Sequence, residues 1–349
     1  MLATNEIKAL LAEHYDLIPS MEKAGATRDI YTKTKRVIPP AEWAVYASYV
    51  IEINRLKKER NAVILAHNYI TPEIYHGVAD FVGDSLQLAI KATEVEEQVI
   101  VQCGVHFMAE TSKILNPSKT VLIPDMSAGC SLAESITAEG IAEIRAKYPG
   151  APVVSYVNTT AEVKAASDIC CTSANAVQIV DAMEGNTVIM TPDQFLAQNV
   201  AAQSKKNVVW WAGSCIVHEL YKAEDLRAYR ESDPDIKIIA HPECTPEVVA
   251  EADFTGSTRG IIDWVHEHKP AKVMLVTECL MATNISDELP EVDFAKPCKM
   301  CSYMKKITLE KILWSLHTMS QEVVVEPEIA TKARLAVQRM IDLSKSLKI

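Results

Sequence analysis

The stretch NVVWWAGSCIVHE, residues 207–219, runs an apolar segment into a cysteine, Cys215, with a histidine, His218, three residues on. Taken alone, such a cysteine reads as a buried thiol at a strand end, because cysteine is among the most buried residue types. The rest of the chain decides otherwise. NAVILAH (61–67), QVIVQCG (98–104), TVLIP (120–124), PVVSYVN (152–158), NTVIMTP (186–192), NVVWWAG (207–213), DIKIIAH (235–241) and KVMLVTE (272–278) are short apolar runs that read as strands buried on both faces. Longer stretches with helical apolar spacing lie between them, such as AEGIAEIRAKYP (138–149) and STRGIIDWVHEHK (257–269). Strands alternating with helices imply an α/β protein with parallel sheets covered by helices.

A period near 86 residues runs through this pattern. The first strand of each group leads into His67-Asn68-Tyr69, Tyr156-Val157-Asn158 and His241-Pro242-Glu243, at offsets of 89 and 85 residues. The second runs, VADFVGDS, ASDICCTS and EADFTGST, end at Ser85, Ser173 and Thr258, at offsets of 88 and 85. FMAE at 107, FLAQ at 195 and LMAT at 280 follow the third strands. Each fourth strand precedes a cysteine, Cys130, Cys215 or Cys301, and these are 85 and 86 residues apart. Four features in one order predict three copies of an α/β unit around a pseudo-threefold axis. The expected division is 1–125 for an N-terminal segment and the first unit, with helices of 302–349 packing back on it, then 126–213 and 214–301.

In parallel sheets, ligands bind beyond the carboxyl ends of strands. The repeated polar residues all sit there, so three units facing inward would share one pocket. Each cysteine is expected at the start of a helix, where the dipole favours thiolate. A set of three thiols is an odd number for structural zinc, which takes four ligands. A [4Fe–4S] cluster on three cysteines keeps one iron free of protein ligands, available as a Lewis acid. The ligand count favours that cluster, with a three-cysteine zinc site as the alternative. Glu243 beside His241 is a candidate base and proton shuttle. Ser85, Asn158, Ser173, Ser257 and Thr258 are neutral donors suited to carboxylate or phosphate oxygens, and GSTRG (256–260) precedes a helix whose amides suit a phosphate. His218 becomes a pocket candidate through its neighbour Cys215.

Cys170 and Cys171, within an apolar strand, read as core, while Cys103 and Cys279 end strands and stand off the repeat. Cys298 and Cys301 form a C-x-x-C with no second such pair to complete a zinc site. A net charge of −11 argues against nucleic-acid and anionic-membrane partners. The first residues lack the pattern of a signal peptide and no apolar run approaches ~20 residues, so a cytoplasmic location is expected, where nine cysteines are not a disulfide framework.

The residues also carry a resemblance. KERNAVILAHNY (58–69), GDSLQLA (83–89), CGVHFMAETSKILNPSKTVLIPD (103–125), SYVNTTAEVKAASDICCTSANAV (155–177), GSCIVHE (213–219), HPEC (241–244), GSTRGI (256–261) and CSYMKKITLEK (301–311) resemble the quinolinate synthase A family from about residue 55 onward. The resemblance implies three similar domains and a [4Fe–4S] cluster on Cys130, Cys215 and Cys301. It implies condensation of iminoaspartate with dihydroxyacetone phosphate to quinolinate, on the route to NAD, with release of phosphate and water. It makes L-aspartate oxidase a functional partner. Its pocket residues fall on His67, Tyr69, Ser85, Tyr156, Asn158, Ser173, His218, His241, Glu243, Ser257 and Thr258. In that reading Glu243, supported by His241, moves protons, and Tyr69 or Tyr156 acts as an acid. Ser257 and Thr258 hold phosphate, while Asn158 and Ser173 hold carboxylates. Some members have a longer C-x-x-C-x-x-C, of which only Cys298 and Cys301 are present here. Without the resemblance, the same residues suit a hydro-lyase acting on a small dicarboxylate, or a metal–thiolate sensor.

Overall fold

The computed structural model describes residues 2–347. Its twelve strands form three separate four-stranded sheets, all parallel. The first holds β1 (Ala62–His67), β2 (Phe81–Gly83), β3 (Val99–Cys103) and β4 (Thr120–Leu122). The second holds β5 (Val153–Tyr156), β6 (Ile169–Cys171), β7 (Thr187–Thr191) and β8 (Asn207–Trp210). The third holds β9 (Lys237–Ala240), β10 (Phe254–Thr255), β11 (Lys272–Val276) and β12 (Asp293–Ala295). Each sheet has the same strand order: second, first, third, fourth. Helices link successive strands, as parallel pairing requires.

The inner strands are buried as expected; β1 and β3 are buried at every residue. The edge strand β8 differs from its reading as buried on both faces. Its Asn207 and Trp210 are exposed, because nothing pairs with its outer side within the sheet. β12, the fourth strand expected before Cys301, lies in VDFAKP and pairs with β11, Lys272 to Asp293 through Met274 to Ala295.

One device recurs in all three units. Asp80, Asp168 and Asp253, just before the second strands, each accept the N–H of a residue in the first strand: Ile64 at 2.8 Å, Val153 at 2.7 Å and Ile238 at 2.8 Å. A cation from the preceding helix joins each: Lys57 at 2.8 Å, Arg145 at 2.8 Å and Arg230 at 3.0 Å. The aspartates lie inside VADF, ASDI and EADF, and Lys57 lies inside the charged run RLKKER, which reads from sequence as a solvated helix end.

The helix Pro40–Glu59 buries Trp43, Ala47, Val50, Ile53 and Leu56 and packs against the helix Leu309–Thr318. The C-terminal helix Pro327–Leu347 lies on β6 and on the helix Ala161–Ala165 of the second unit. Between these helices the chain runs along β4, where the Val323 N–H donates to Val121 O at 2.8 Å and covers that sheet edge. No helix among the described residues is long and apolar enough to cross a membrane.

Candidate active site

The three repeat cysteines sit in three turns with the same backbone hydrogen-bond pattern. The carbonyl two residues before each cysteine accepts an N–H from the start of the helix after the third strand. His106 donates to Ala128 at 2.7 Å, Gln194 to Gly213 at 2.9 Å and Cys279 to Lys299 at 3.1 Å. The cysteine carbonyl then accepts from the residue four on: Glu134, Glu219 or Lys305, at 2.9, 3.1 and 3.2 Å. The following long helix begins eight residues after the cysteine, at Ala138, Ala223 and Leu309. Gly213 is required at its place, because a Cβ there would lie 2.6 Å from the Pro192 carbonyl oxygen.

These turns correct one expectation. None of the cysteines starts a long helix; each starts a single turn, and those after Cys215 and Cys301 are 3₁₀ helices at His218–Leu220 and Met304–Lys306. The macrodipole is therefore absent, and local amides act instead. The backbone amides two and three residues on, Leu132 and Ala133, Val217 and His218, Tyr303 and Met304, favour the thiolate of each cysteine. Burial outweighs them and raises all three thiols, Cys130 to about 12. In the bare chain they are thiols rather than thiolates. Three sulfurs, each offered two amide donors and all facing one cavity, fit an anionic metal–sulfur group.

The cavity is walled by all three units. His67, Tyr69, Ser85, Tyr156, Asn158, Ser173, His218, His241, Glu243 and Thr258 line it together with Cys130, Cys215 and Cys301. Ser257 does not line it. Its hydroxyl caps the helix Thr258–His268 by accepting from Gly260 N at 3.2 Å.

Glu243 is the centre of the polar wall. It is 4% exposed, and its Oε1 accepts from the Tyr156 hydroxyl at 2.6 Å. Its Oε2 lies 2.8 Å from His218 Nδ1, which is also 3.2 Å from Cys215 Sγ. The His218 and His241 rings stack at 4.7 Å, and His241 Nδ1 accepts from the Glu243 N–H at 3.3 Å. Burial opposes charge on Glu243, but His218, with His241 and the Tyr156 hydroxyl, outweighs it and holds the carboxyl below the usual range. Burial lowers His67 to about 4 and His241 to about 3, against the pull of Glu243, so both are neutral near pH 7. Burial, reinforced by Glu243, raises Tyr69 and Tyr156 well above the ordinary phenol, so both keep their protons. The Glu243 carboxylate thus sits beside protonated tyrosines and the neutral rings of His67 and His241. Asn158 Oδ1 is a buried acceptor without a partner in the protein, as a wall residue awaiting a ligand would be.

Thr277, Glu278, Phe107, Met108 and Tyr303 are site residues that the repeat does not mark as polar strand ends or ligands. Glu278, Phe107, Met108 and Tyr303 line the cavity, and Thr277 stands behind Tyr69 and His218. Thr277 and Glu278 were legible in principle, as polar residues ending the apolar run KVMLVTE. Glu278 Oε1 accepts the Cys301 N–H at 3.2 Å, and burial raises its carboxyl to about 7. Cys298 is joined to Cys279 in a disulfide, with Cα atoms 5.0 Å apart, whereas Cys301 is free. Cys279 therefore begins a helix and is paired, rather than ending a strand. Cys170 and Cys171 are buried in β6 as expected.

Comparison with known proteins agrees with this geometry. Residues 51–342 match the NadA family, quinolinate synthetase A protein. The chain is 57% identical over 333 residues to a quinolinate synthase of Sinorhizobium medicae (strain WSM419), covering 95% of this chain and 93% of that one. It is 54% identical over 321 residues to a quinolinate synthase of Caulobacter vibrioides (strain NA1000 / CB15N), covering 91% and 88%. A quinolinate synthase of Xylella fastidiosa (strain 9a5c) is 56% identical over 289 residues, covering 83% and 85%. A cavity built at three strand-sheet ends and a family match across most of the chain lead to one conclusion: the chain belongs to the quinolinate synthetase A family, enzymes of NAD biosynthesis.

Proposed function

We propose that the chain condenses iminoaspartate with dihydroxyacetone phosphate to form quinolinate, releasing phosphate and water. The observation that carries this reading is the set of three equivalent cysteine turns facing a buried carboxylate flanked by neutral proton donors. Cys130, Cys215 and Cys301 would hold a [4Fe–4S] cluster, which supplies an iron without a protein ligand to act as a Lewis acid.

The chain's own residues supply binding and proton transfer. Glu243, ionised and buried, is the base for enolisation and imine formation, with His241 beside it. Tyr69 and Tyr156 keep their protons and serve as acids. Thr258, in the first turn of an eleven-residue helix, offers a hydroxyl and backbone amides to the phosphate, and Ser257 fixes that helix end from behind. Ser85, Asn158 and Ser173 are neutral donors for the carboxylates. His67, neutral by burial, adds a further uncharged donor. L-Aspartate oxidase would supply the imine.

Anaerobic protein carrying its cluster is to be incubated with freshly generated iminoaspartate and dihydroxyacetone phosphate. Quinolinate and phosphate are expected in equal amounts. Turnover of a dicarboxylate by loss of water alone, with no phosphate released, would sink the reading in favour of a hydro-lyase.

A further inference from the structure

We propose that Thr277 is a positioning residue for this reaction, the hydroxyl that ties Tyr69 to His218 and so sets how His218 presents itself to Glu243. The inference rests on the functional reading given above and adds a residue that neither the cavity wall nor the sequence pattern marks.

Thr277 follows β11 directly, at the carboxyl end of a buried strand, and is 0% exposed. Its Oγ1 lies 2.5 Å from the Tyr69 hydroxyl and 2.9 Å from His218 Nε2. Its carbonyl accepts the Tyr221 hydroxyl at 2.5 Å, which pins the backbone that carries the side chain. A β-branched side chain at a strand end has few rotamers, so the hydroxyl is held in place.

The directions of the bonds follow from donor inventory. The Glu243 carboxylate only accepts; it takes the Tyr156 proton at Oε1 and faces His218 Nδ1 at Oε2. Nδ1 therefore carries a proton. In the neutral ring Nε2 is then an acceptor, and the Thr277 hydroxyl must donate to it. That hydroxyl has one proton, so toward Tyr69 it accepts. The result is one ordered chain: Tyr69 donates to Thr277, Thr277 to His218, His218 to Glu243, and Tyr156 closes on Glu243 from the other side. In a doubly protonated ring Nε2 donates to the Thr277 hydroxyl, which in turn donates to Tyr69, and Thr277 is still the link. The assignment therefore does not depend on the charge of His218.

Without the hydroxyl, Nε2 has no partner at this position. The ring is then free to place its proton on either nitrogen or to tilt away from Glu243 Oε2, and the Tyr69 hydroxyl loses its anchor. Tyr69 comes from the first unit, while Thr277 and Glu243 come from the third sheet. The link therefore also sets the distance between an acid and the base across a unit boundary.

The test uses cluster-loaded Thr277→Val and Thr277→Ser proteins, with Thr277→Ala as a second hydroxyl-free variant that leaves space rather than filling it. Valine keeps the shape and removes the hydroxyl. We expect kcat to fall about tenfold to a hundredfold in the valine and alanine proteins, the scale of a misplaced catalytic group. KM should change by no more than about twofold, and iron content and absorbance should be unchanged. Serine should recover most of kcat. Combining Thr277→Val with Tyr69→Phe should cost little beyond the larger single effect, because both cut one chain. Wild-type kcat in both hydroxyl-free variants overturns the inference, and so does a serine variant no better than valine. Equal loss of iron in all three variants also overturns it, since that would make Thr277 a packing residue. Failure of the wild-type protein to form quinolinate would instead overturn the functional reading itself.

Discussion

Around Cys130, Cys215 and Cys301 the backbone bonding repeats three times, whereas at 67–69, 156–158 and 241–243 the same place in each unit carries different side chains. The cysteine turns share a carbonyl latch, a closing bond four residues on and two following amides that favour the thiolate. The strand tips are His-Asn-Tyr, Tyr-Val-Asn and His-Pro-Glu, and the only carboxylate among them is Glu243. The residues capping the helices after the third strands differ as well: Val105, Asp193 and Glu278. Repetition suits a ligand that looks the same from three sides. Divergence suits an asymmetric substrate that needs a base at one point and donors at others. The two regions lie side by side in one cavity, so the threefold scaffold and its broken symmetry can be tested separately.

The largest expected effects fall on the repeated region. Alanine at Cys130, Cys215 or Cys301 should each abolish both the cluster absorbance and activity, with no ranking among the three. Cys298→Ala should keep the cluster, because that sulfur is bonded to Cys279 whereas Cys301 is free. Cluster loss in Cys298→Ala with retention in Cys301→Ala, read by iron content, would break the threefold equivalence.

The divergent region should behave oppositely. Glu243→Gln is expected to keep iron and sulfide at wild-type levels while kcat falls roughly 10²–10⁴-fold, the usual contribution of a general base. Loss of the cluster in that variant would mean that the two regions are not separable.

The aspartate bonds test the scaffold without touching the chemistry. The backbone N–H of Ile238 and the Arg230 charge outweigh burial and hold the Asp253 carboxyl below its usual range. A carboxyl depressed in the folded state contributes stability above its unfolded value, near 4, and loses it as pH falls toward the folded value. Asp253→Asn should therefore be less stable by about 1 kcal/mol at neutral pH and show a shallower loss on acidification. Urea midpoints at several pH values read this, and parallel curves for the two proteins would contradict it.

The smallest effect sharpens the comparison among units. Thr137 and Thr308 cap their helices seven residues after Cys130 and Cys301, by accepting from Gly140 N at 3.3 Å and Lys311 N at 3.4 Å. The corresponding residue after Cys215 is Lys222, which gives no side-chain cap. Lys222→Thr should stabilise the protein by about 0.5–1 kcal/mol, read as a raised thermal midpoint with unchanged kcat.

The repeat was legible because strand ends, caps and cysteines are local features that recur at a fixed spacing. Twelve parallel strands in three sheets follow from it, four in each unit, with the fourth before each repeat cysteine. The cavity was legible wherever a polar residue ends a first or second strand. Thr277 escaped because one threonine after KVMLV has no counterpart in the other units; Gly104 and Pro192 take its place. The cysteine turns misread as helix starts, since SLAE and IVHE have helical composition but form a single turn, and the long helix starts only eight residues after the cysteine. Ser257 misread as a wall residue, because a helix cap and a phosphate donor use the same Gly-Ser-Thr pattern.

Everything above depends on what the three sulfurs hold. Iron, acid-labile sulfide and visible absorbance of the chain purified without oxygen test it most directly. Iron and sulfide in equal amounts, in the ratio of one [4Fe–4S] cluster per chain, with the brown absorbance lost in Cys215→Ala, is the expected result. Bound zinc with no sulfide, or full absorbance in Cys215→Ala, would contradict it.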